Sequence, residues 1–511
     1  MSRSFTREHE TQGTAQYFRH VPCGTRIPSS IHAVSVSMPV LQDLIGYEQG
    51  NLEALRRIQT GYPRFHTHPY IVQIQEHLDH KFRLGGQPLI ILSSRKAADA
   101  LCDFAEVGER KIIEYKNITG LVLLADKIGK GKAFRQHTGT HISSRQAEDF
   151  LIGEGILDHR QPEDSLSVDG ENQIINTLKE AYEAESAADV YLANAGMNAV
   201  YAVYRAINTV QSSKGKDTWI QFGWLFMDTM RLIEKLKAEG TDYHPVYDVF
   251  NLEELRRLLA RKGDRIAGII TEAPSNPLVR TPDVRAIKRL AEQYDCALVI
   301  DSTLGTPYNV DVLPHADIVI ESLTKYANGA ADVMMGAVVL NSSSGYYEGV
   351  RMTLPEFLEK PYLRDLNRLA FQIKGYEERI SQVNRNTIAL VDFLKTRQSV
   401  KRVFWAYQEE SRLNYEKIQR APNSPGGIIT LELHAPLASI YDRLRIAKGP
   451  SLGAEFTLVG PYLYHAHYDL VSSEEGRRFL QRAGLNPELL RISVGVEPSQ
   501  EIIAALAEAF W

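Results

Sequence analysis

Two side chains mark where this chain can do chemistry. Asp301 closes the apolar run Ala297-Leu298-Val299-Ile300, and Lys325 follows twenty-four residues later in Ser322-Leu323-Thr324-Lys325-Tyr326, just after a second apolar run, Ile318-Val319-Ile320. Both runs have the length and composition of buried strands, so a carboxylate and an amine fall at the carboxyl ends of two successive strands, where parallel sheets bind their ligands. A lysine amine condenses with an aldehyde to a Schiff base, and a pyridine ring carrying that aldehyde is an electron sink for an adjacent carbanion. The sink works best while the ring nitrogen is protonated, and a buried carboxylate keeps it so. The pair therefore suits a pyridoxal 5'-phosphate site, with Lys325 on the aldehyde and Asp301 on the ring N–H. Alone, Asp301 reads equally well as a strand-end cap and Lys325 as a solvated loop lysine.

Other residues add to that reading. In Asn194-Ala195-Gly196-Met197 a strand runs into a helix whose inner face is Val200, Val203, Tyr204 and Ile207. Free amides at a helix start, with a glycine that lets the backbone come close, form an anion site, so Gly196 and Met197 are candidates to hold the cofactor phosphate. An ordinary strand-to-helix turn has the same pattern. Ser322 and Thr324, on the lysine loop, could add hydroxyl donors. Arg491, inside the apolar run Leu490-Arg491-Ile492-Ser493-Val494, calls for a carboxylate that its planar fork can grip. An amino-acid substrate would supply one, and so would an internal Asp or Glu.

These groups need a scaffold, and the chain is long enough for two to four domains at 511 residues. From about 188 to 340, apolar runs alternate with helix-period segments: Asp189 to Leu192, then Met197 to Asn208; Ile266 to Thr271, then Asp283 to Tyr294; Ala297 to Asp301, then Ile318 to Ile320. Such alternation predicts a mainly parallel sheet with crossover helices. Leu363 to Arg397 reads as one connecting helix, and Ile428 to Leu433, after the turn-rich stretch 421–427, opens a smaller C-terminal α/β domain ending near Trp511. A net charge of −5 with no Lys/Arg block among aromatics argues against a nucleic-acid partner. Three scattered cysteines, a polar start from Met1 to Gln16 and no apolar run near eighteen residues predict a soluble, cytoplasmic protein with no membrane partner.

The ordered motifs Glu272-Ala273-Pro274-Ser275-Asn276-Pro277, Asp301-Ser302-Thr303 and Ser322-x-Thr324-Lys325-Tyr326-x-Asn328-Gly329-x-x-Asp332 resemble the Cys/Met-metabolism family of pyridoxal phosphate enzymes, in particular its cystathionine γ-synthase branch. The resemblance runs from Tyr62 to the C-terminus and includes Ser451-Leu452-Gly453. It implies fold type I, with the mainly parallel sheet in the large domain. It also implies Lys325 and Tyr62 as catalytic residues, cofactor contacts from Asp301, Thr303, Gly196, Met197, Ser322, Thr324 and Phe226, and substrate contacts from Asn276, Ser451 and Arg491. Tyr62-Pro63-Arg64 matches an element that enters the neighbouring subunit's site and sets Arg64 on the phosphate, which implies a homodimer or homotetramer with shared sites. Phe226 stands where the family has a ring-stacking tyrosine just upstream of the helix Thr229 to Leu236, and Ala330 where a histidine is common. Phe222 is a poorer match to that tyrosine.

A long segment between Arg64 and Gly196, with apparent strands Leu89 to Leu92 and Leu121 to Leu124 and helices near Arg95 to Glu106 and Ser144 to Leu151, resembles the fungal-type branch, as do 33–37 and 61–65. The expected domains are an N-terminal arm (1–70), an α/β insert (71–187), a cofactor domain (188–360) and a linking helix with the C-terminal domain (361–511). By resemblance the enzyme acts at the γ-carbon of an amino acid. It would replace the leaving group of an activated homoserine with a thiol or, alternatively, eliminate a γ-substituent such as the halide of a chlorinated allylglycine. A non-catalytic scaffold is the reading from another class, and the intact set of Lys325, Asp301 and Arg491 argues against it.

Four further signals carry less. His465-Ala466-His467-Tyr468-Asp469 has the H-x-H-x-D form of some metal hydrolases, with alternate strand positions putting both rings on one face, but Leu470 stands where a third histidine belongs, so no metal is expected. Ser322-x-x-Lys325 lacks the companion motifs of serine β-lactam enzymes. Gly129-Lys130-Gly131-Lys132 lacks P-loop spacing. His66, His68, His77 and His80 suit surface or interface roles.

Overall fold

The computed structural model describes residues 17–60, 62, 65–166, 168–237 and 241–511. Near the N-terminus β1 (Arg26–Ile27) and β2 (Ser35–Val36) form a short antiparallel ladder. A three-stranded antiparallel sheet follows, ordered β3-β5-β4, from β3 (Leu89–Leu92), β4 (Lys111–Tyr115) and β5 (Ile118–Val122). Helices in this stretch include Pro69–Phe82, Arg95–Ala105, Ile128–Thr138 and Ser144–Gly153.

The central sheet has seven strands: β6 (Val190–Ala193), β7 (Thr218–Phe222), β8 (Tyr243–Val246), β9 (Ile266–Glu272), β10 (Ala297–Asp301), β11 (Ile318–Glu321) and β12 (Gly336–Leu340). Their order is β6-β12-β11-β10-β9-β7-β8, and only β12 runs against its neighbours. Because helices cover both faces, β9 to β12 are apolar at almost every position rather than alternating. A five-stranded sheet follows, ordered β13-β14-β17-β16-β15, from β13 (Val400–Phe404), β14 (Ile428–Leu433), β15 (Ala447–Lys448), β16 (Leu458–Pro461) and β17 (Leu490–Ser493).

The two-residue period of the strands sorts the central side chains. Leu298 and Ile300 enter one core, whereas Ala297 and Val299 enter the other with Ile270, Ile318, Ile320 and the helix Gly196–Ser212. Asp301 is in register with Glu272 and Ile320, so these three share the face of the Gly196 helix. Glu321, one step on, points the other way and accepts hydrogen bonds from Tyr182 and Tyr376 at 2.6 Å each.

Two expectations are corrected. The stretch Leu363 to Arg397 is two helices, Leu363–Gln372 and Tyr376–Lys395, parted by a tight turn at Ile373–Gly375 that lets Arg379 reach back to the Gln372 carbonyl. His465 and His467 do not alternate on a strand. β16 stops at Pro461, which has no N–H to extend the ladder, and the chain continues as the short turns Tyr462–Ala466 and Tyr468–Val471. His467 then accepts from the Trp224 indole at 3.3 Å, and His465 faces elsewhere.

Residues 71–187 are tied to the rest by a buried ion cluster. The Arg145 guanidinium donates to both Glu163 oxygens, to Asp365 Oδ1 at 2.9 Å and to the Asp332 carbonyl at 2.8 Å. The helix Ile128–Thr138 is capped by Gly139, where a β-carbon would lie 2.7 Å from the Asn198 nitrogen, so this backbone presses against the start of the Gly196 helix. Among the described residues no helix is long and apolar enough to cross a membrane.

Candidate active site

The carboxyl ends of β6, β9, β10 and β11 open into a cleft of about 1030 Å3, counted to its mouth, at the upper end of the range for small-molecule sites. Lys325 projects into it from the turn after β11, where Lys325 N–H donates to the Ser322 carbonyl at 3.1 Å and Gly329 N–H to the Lys325 carbonyl at 3.0 Å. The Lys325 amine donates to Ser451 Oγ at 3.2 Å and sits 4.6 Å from the centre of the Tyr62 ring. Ser451 holds a φ of +117°, a strained backbone for a residue with a side chain, of the kind that persists where surroundings enforce it. Beside it Gly453, at φ +74°, passes so close that a β-carbon would lie 2.8 Å from the Tyr326 nitrogen.

Two carboxylates share the cleft floor. Asp301 Oδ1 accepts the Thr303 N–H at 2.9 Å, and Thr303 Oγ1 accepts the Ser322 N–H at 2.9 Å, which ties the carboxylate to the lysine loop. Glu272 accepts the backbone N–H of Phe226, and that of Asn276 at 3.1 Å. Burial pushes the Asp301 carboxyl above its usual range. Burial, and then the neighbouring Asp301, push Glu272 well up. Among the described residues no cation lies within ion-pair distance of either carboxylate. Arg491, buried in the opposite wall, donates to Asn276 Oδ1 at 3.3 Å and to the Ser451 carbonyl at 2.8 Å, both neutral acceptors, and lies 4.8 Å over the Tyr462 ring.

Gly196, Met197, Phe226, Asn276, Asp301, Thr303, Ser322, Lys325, Ser451, Tyr62 and Arg491 all line this one cleft. Gly196 is a close approach: a β-carbon there would lie 2.9 Å from the Ser322 side chain. Its helix has no side-chain cap, so the first amides remain available to an anion. Thr324 is not in the lining; its hydroxyl bridges the backbone N–H and carbonyl of Met335 at 3.1 and 3.3 Å. Arg64 lies outside the described residues. Tyr62, expected in a neighbouring copy's site, stands in its own chain's cleft. The arm is pinned there by the Val34 N–H to the Ala331 carbonyl at 2.9 Å and by Thr60 Oγ1 to the Ala33 carbonyl at 3.1 Å.

Sequence reasoning did not single out Glu272, Tyr462, Phe65, Val200, Met227 or Leu304 as cleft residues. For Glu272 a signal was there, since it ends an apolar run as Asp301 does, and parallel neighbours align such ends. Among the described residues no cluster of three or more His, Cys, Asp or Glu could hold a metal.

This residue set fits pyridoxal phosphate. It offers a lysine amine, a half-buried carboxylate with a backbone donor and no counter-charge, and unclaimed helix amides, all facing one cavity. The fold agrees, since a cystathionine gamma synthase from Xanthomonas oryzae pv. oryzae, solved with aminoacrylate and cysteine, superposes with a TM-score of 0.57 at 23% identity over 69% of this chain and 88% of that one. The protein is thus a pyridoxal phosphate enzyme of fold type I. Residues 172–511 match the Cys/Met metabolism PLP-dependent enzyme family, and the chain belongs to it. It is 43% identical, over 95% of its length and 97% of the relative's, to the L-2-amino-4-chloropent-4-enoate dechlorinase/desaturase of Streptantibioticus cattleyicolor. With the cystathionine gamma-synthase of Neurospora crassa it shares 27% identity over the same fractions of the two chains.

Proposed function

We propose that this enzyme carries out γ-elimination on a small 4-halogenated, unsaturated L-2-amino acid of the 4-chloropent-4-enoate type, releasing halide and a proton. The observation that carries the reading is the charge of the cleft. Among its described lining residues Arg491 is the one guanidinium and Lys325 the one amine, and beside the carboxylates Asp301 and Glu272 the residues Phe65, Val200, Phe226, Met227, Leu304 and Leu452 give the cleft an apolar wall. One carboxylate and a compact apolar side chain suit that wall. A homoserine ester together with an incoming cysteine would bring further charge. The 43% identity to a dechlorinase/desaturase along both whole chains, against 27% to a synthase, supports the same choice.

When bound, pyridoxal phosphate supplies the electron sink that acidifies first the hydrogen on the substrate's nitrogen-bearing carbon and then those on the carbon beside it. The chain's own groups do the rest. Gly196 and Met197 N–H and the Ser322 hydroxyl would hold the phosphate, and Asp301 would hold the proton on the ring nitrogen. Phe226 would lie against the ring and, having no hydroxyl, move no proton. Proton transfer then falls to the Lys325 amine, oriented by Ser451 Oγ at 3.2 Å and covered by Tyr62. Arg491 would take the α-carboxylate in place of its two neutral acceptors. The apolar wall would keep water from the departing halide. As part of the same reading, the arm (1–70) serves the cleft, the insert (71–187) braces the Gly196 helix, 188–360 binds the cofactor, 361–511 closes the site, and the enzyme works in the cytoplasm as a homodimer or homotetramer.

Incubation with L-2-amino-4-chloropent-4-enoate should release chloride at the same rate with and without cysteine. The reading is wrong if chloride stays bound, or if turnover occurs only on a homoserine ester in the presence of a thiol.

A further inference from the structure

Gly460 and Arg491 are direct partners across β16 and β17, so whatever stands where a side chain at 460 would stand is beside the arginine on the same face of the sheet. That space belongs to His465. A β-carbon on Gly460 would lie 3.1 Å from both Cδ2 and Nε2 of the His465 ring, which the chain brings back over β16 by the short turn Tyr462–Ala466. The ring also lines the active-site cleft, as Arg491 does. Its Nε2 is buried and has no hydrogen-bond partner, in a molecule where buried polar atoms are usually paired. The guanidinium next to it is served by neutral acceptors alone.

From this geometry we propose that His465 is a substrate-binding residue, its Nε2–H giving the α-carboxylate of the amino-acid substrate a second donor beside Arg491. The inference rests on the assignment of Arg491 to that carboxylate and adds to it. An anion between the two groups gives the orphaned nitrogen a partner and the buried cation a counter-charge, and no other single ligand chemistry serves both. Burial, together with the positive charge of Arg491, holds the imidazole far below its ordinary range, to about 3, so it faces the cleft as a neutral ring with one N–H. A neutral donor can stand next to a guanidinium where a lysine or a second arginine would be repelled. Gly460 takes part by leaving the space the ring fills.

The test measures binding rather than turnover. Holoenzyme is titrated by calorimetry with L-allylglycine, which has no leaving group, and with but-3-enylamine, the same molecule without its carboxylate. His465→Leu should weaken the amino acid by about tenfold to a hundredfold, the range of a hydrogen bond to a charged group, and leave the amine unchanged. His465→Gln, which keeps a donor, should recover most of the loss. Gly460→Ala, which displaces the ring, should match His465→Leu and add nothing to it in the double variant. Equal weakening of both ligands, or no weakening of either, overturns the proposal. If His465→Leu does not fold, Gly460→Ala and His465→Gln make the same comparison. Arg491→Lys separates the two layers. If it leaves the preference for the amino acid intact, the carboxylate assignment itself fails; if it erodes the preference while the His465 and Gly460 variants do not, only the role of His465 fails.

Discussion

Replacing Asp301 with asparagine separates the charge of the site from its shape. Asp301 accepts the Thr303 N–H at 2.9 Å, and an asparagine oxygen of the same size can keep that bond. The carboxylate stands next to Glu272 with burial raising both, so removing its charge should leave the cofactor-free protein as stable as before or slightly more so, within about 1 kcal/mol. In the loaded enzyme the same change would remove the anion proposed to pair with the ring N–H. Breaking a buried charge pair costs roughly 3–5 kcal/mol. If that falls on the transition state, turnover drops about a hundred- to several-thousand-fold. The assay pairs chloride release from the chlorinated amino acid with urea denaturation of the cofactor-free protein. Turnover within tenfold of the parent would refute the reasoning. So would a stability loss of several kcal/mol, because Asp301 would then be a strand-end cap and no more.

Three further outcomes are expected. Gly453→Ala places a β-carbon 2.8 Å from the Tyr326 nitrogen at a φ of +74°. Left-handed strain and the contact together should cost about 2–4 kcal/mol in urea and loosen cofactor retention through the displaced lysine loop, whereas an unchanged midpoint would count against that packing. Arg145→Ala leaves Asp365 without its cation and Glu163 with Arg364 alone, and chemical denaturation should show a loss of roughly 3–5 kcal/mol; less than about 1 kcal/mol would mean residues 71–187 are held by other contacts. Burial raises the Glu321 carboxyl to about 7 even though two tyrosine hydroxyls donate to it. An acid raised on folding contributes stability below its unfolded value that is lost as pH climbs through the folded value. Glu321→Gln should therefore remove roughly 3 kcal/mol of the destabilisation seen between about pH 4.5 and 7, measured by thermal melts across that range, and parallel curves for the two proteins would contradict it.

Much of the scaffold could be read from local pattern. Strands 89–92, 297–301 and 428–433 fall on the expected bounds, because an apolar run of four to six residues flanked by polar ones is a strand buried on both faces. The helix break at 373–375 could not be read: Ile373-Lys374-Gly375 sits inside a continuous amphipathic pattern, and what bends the chain is packing around the buried Arg379, which bonds the Tyr326 carbonyl at 2.8 Å. The turn after Pro461 was likewise misread as a strand, since two alternating histidines mimic the period of one.

For the site, the chain's own order determined the types and the spacing. An acid at 301, an amine at 325 and a glycine opening a helix at 196 are local features, each written within one strand and the turn that follows, and so was the class of chemistry they imply. Only the tertiary structure brought Tyr62 over the Lys325 amine, put Ser451 between Lys325 and Arg491, placed Glu272 beside Asp301 and set His465 in the space left by Gly460. Those contacts join segments up to several hundred residues apart. Strand order, register and the packing of one sheet against another create them, and no short window of sequence carries that information.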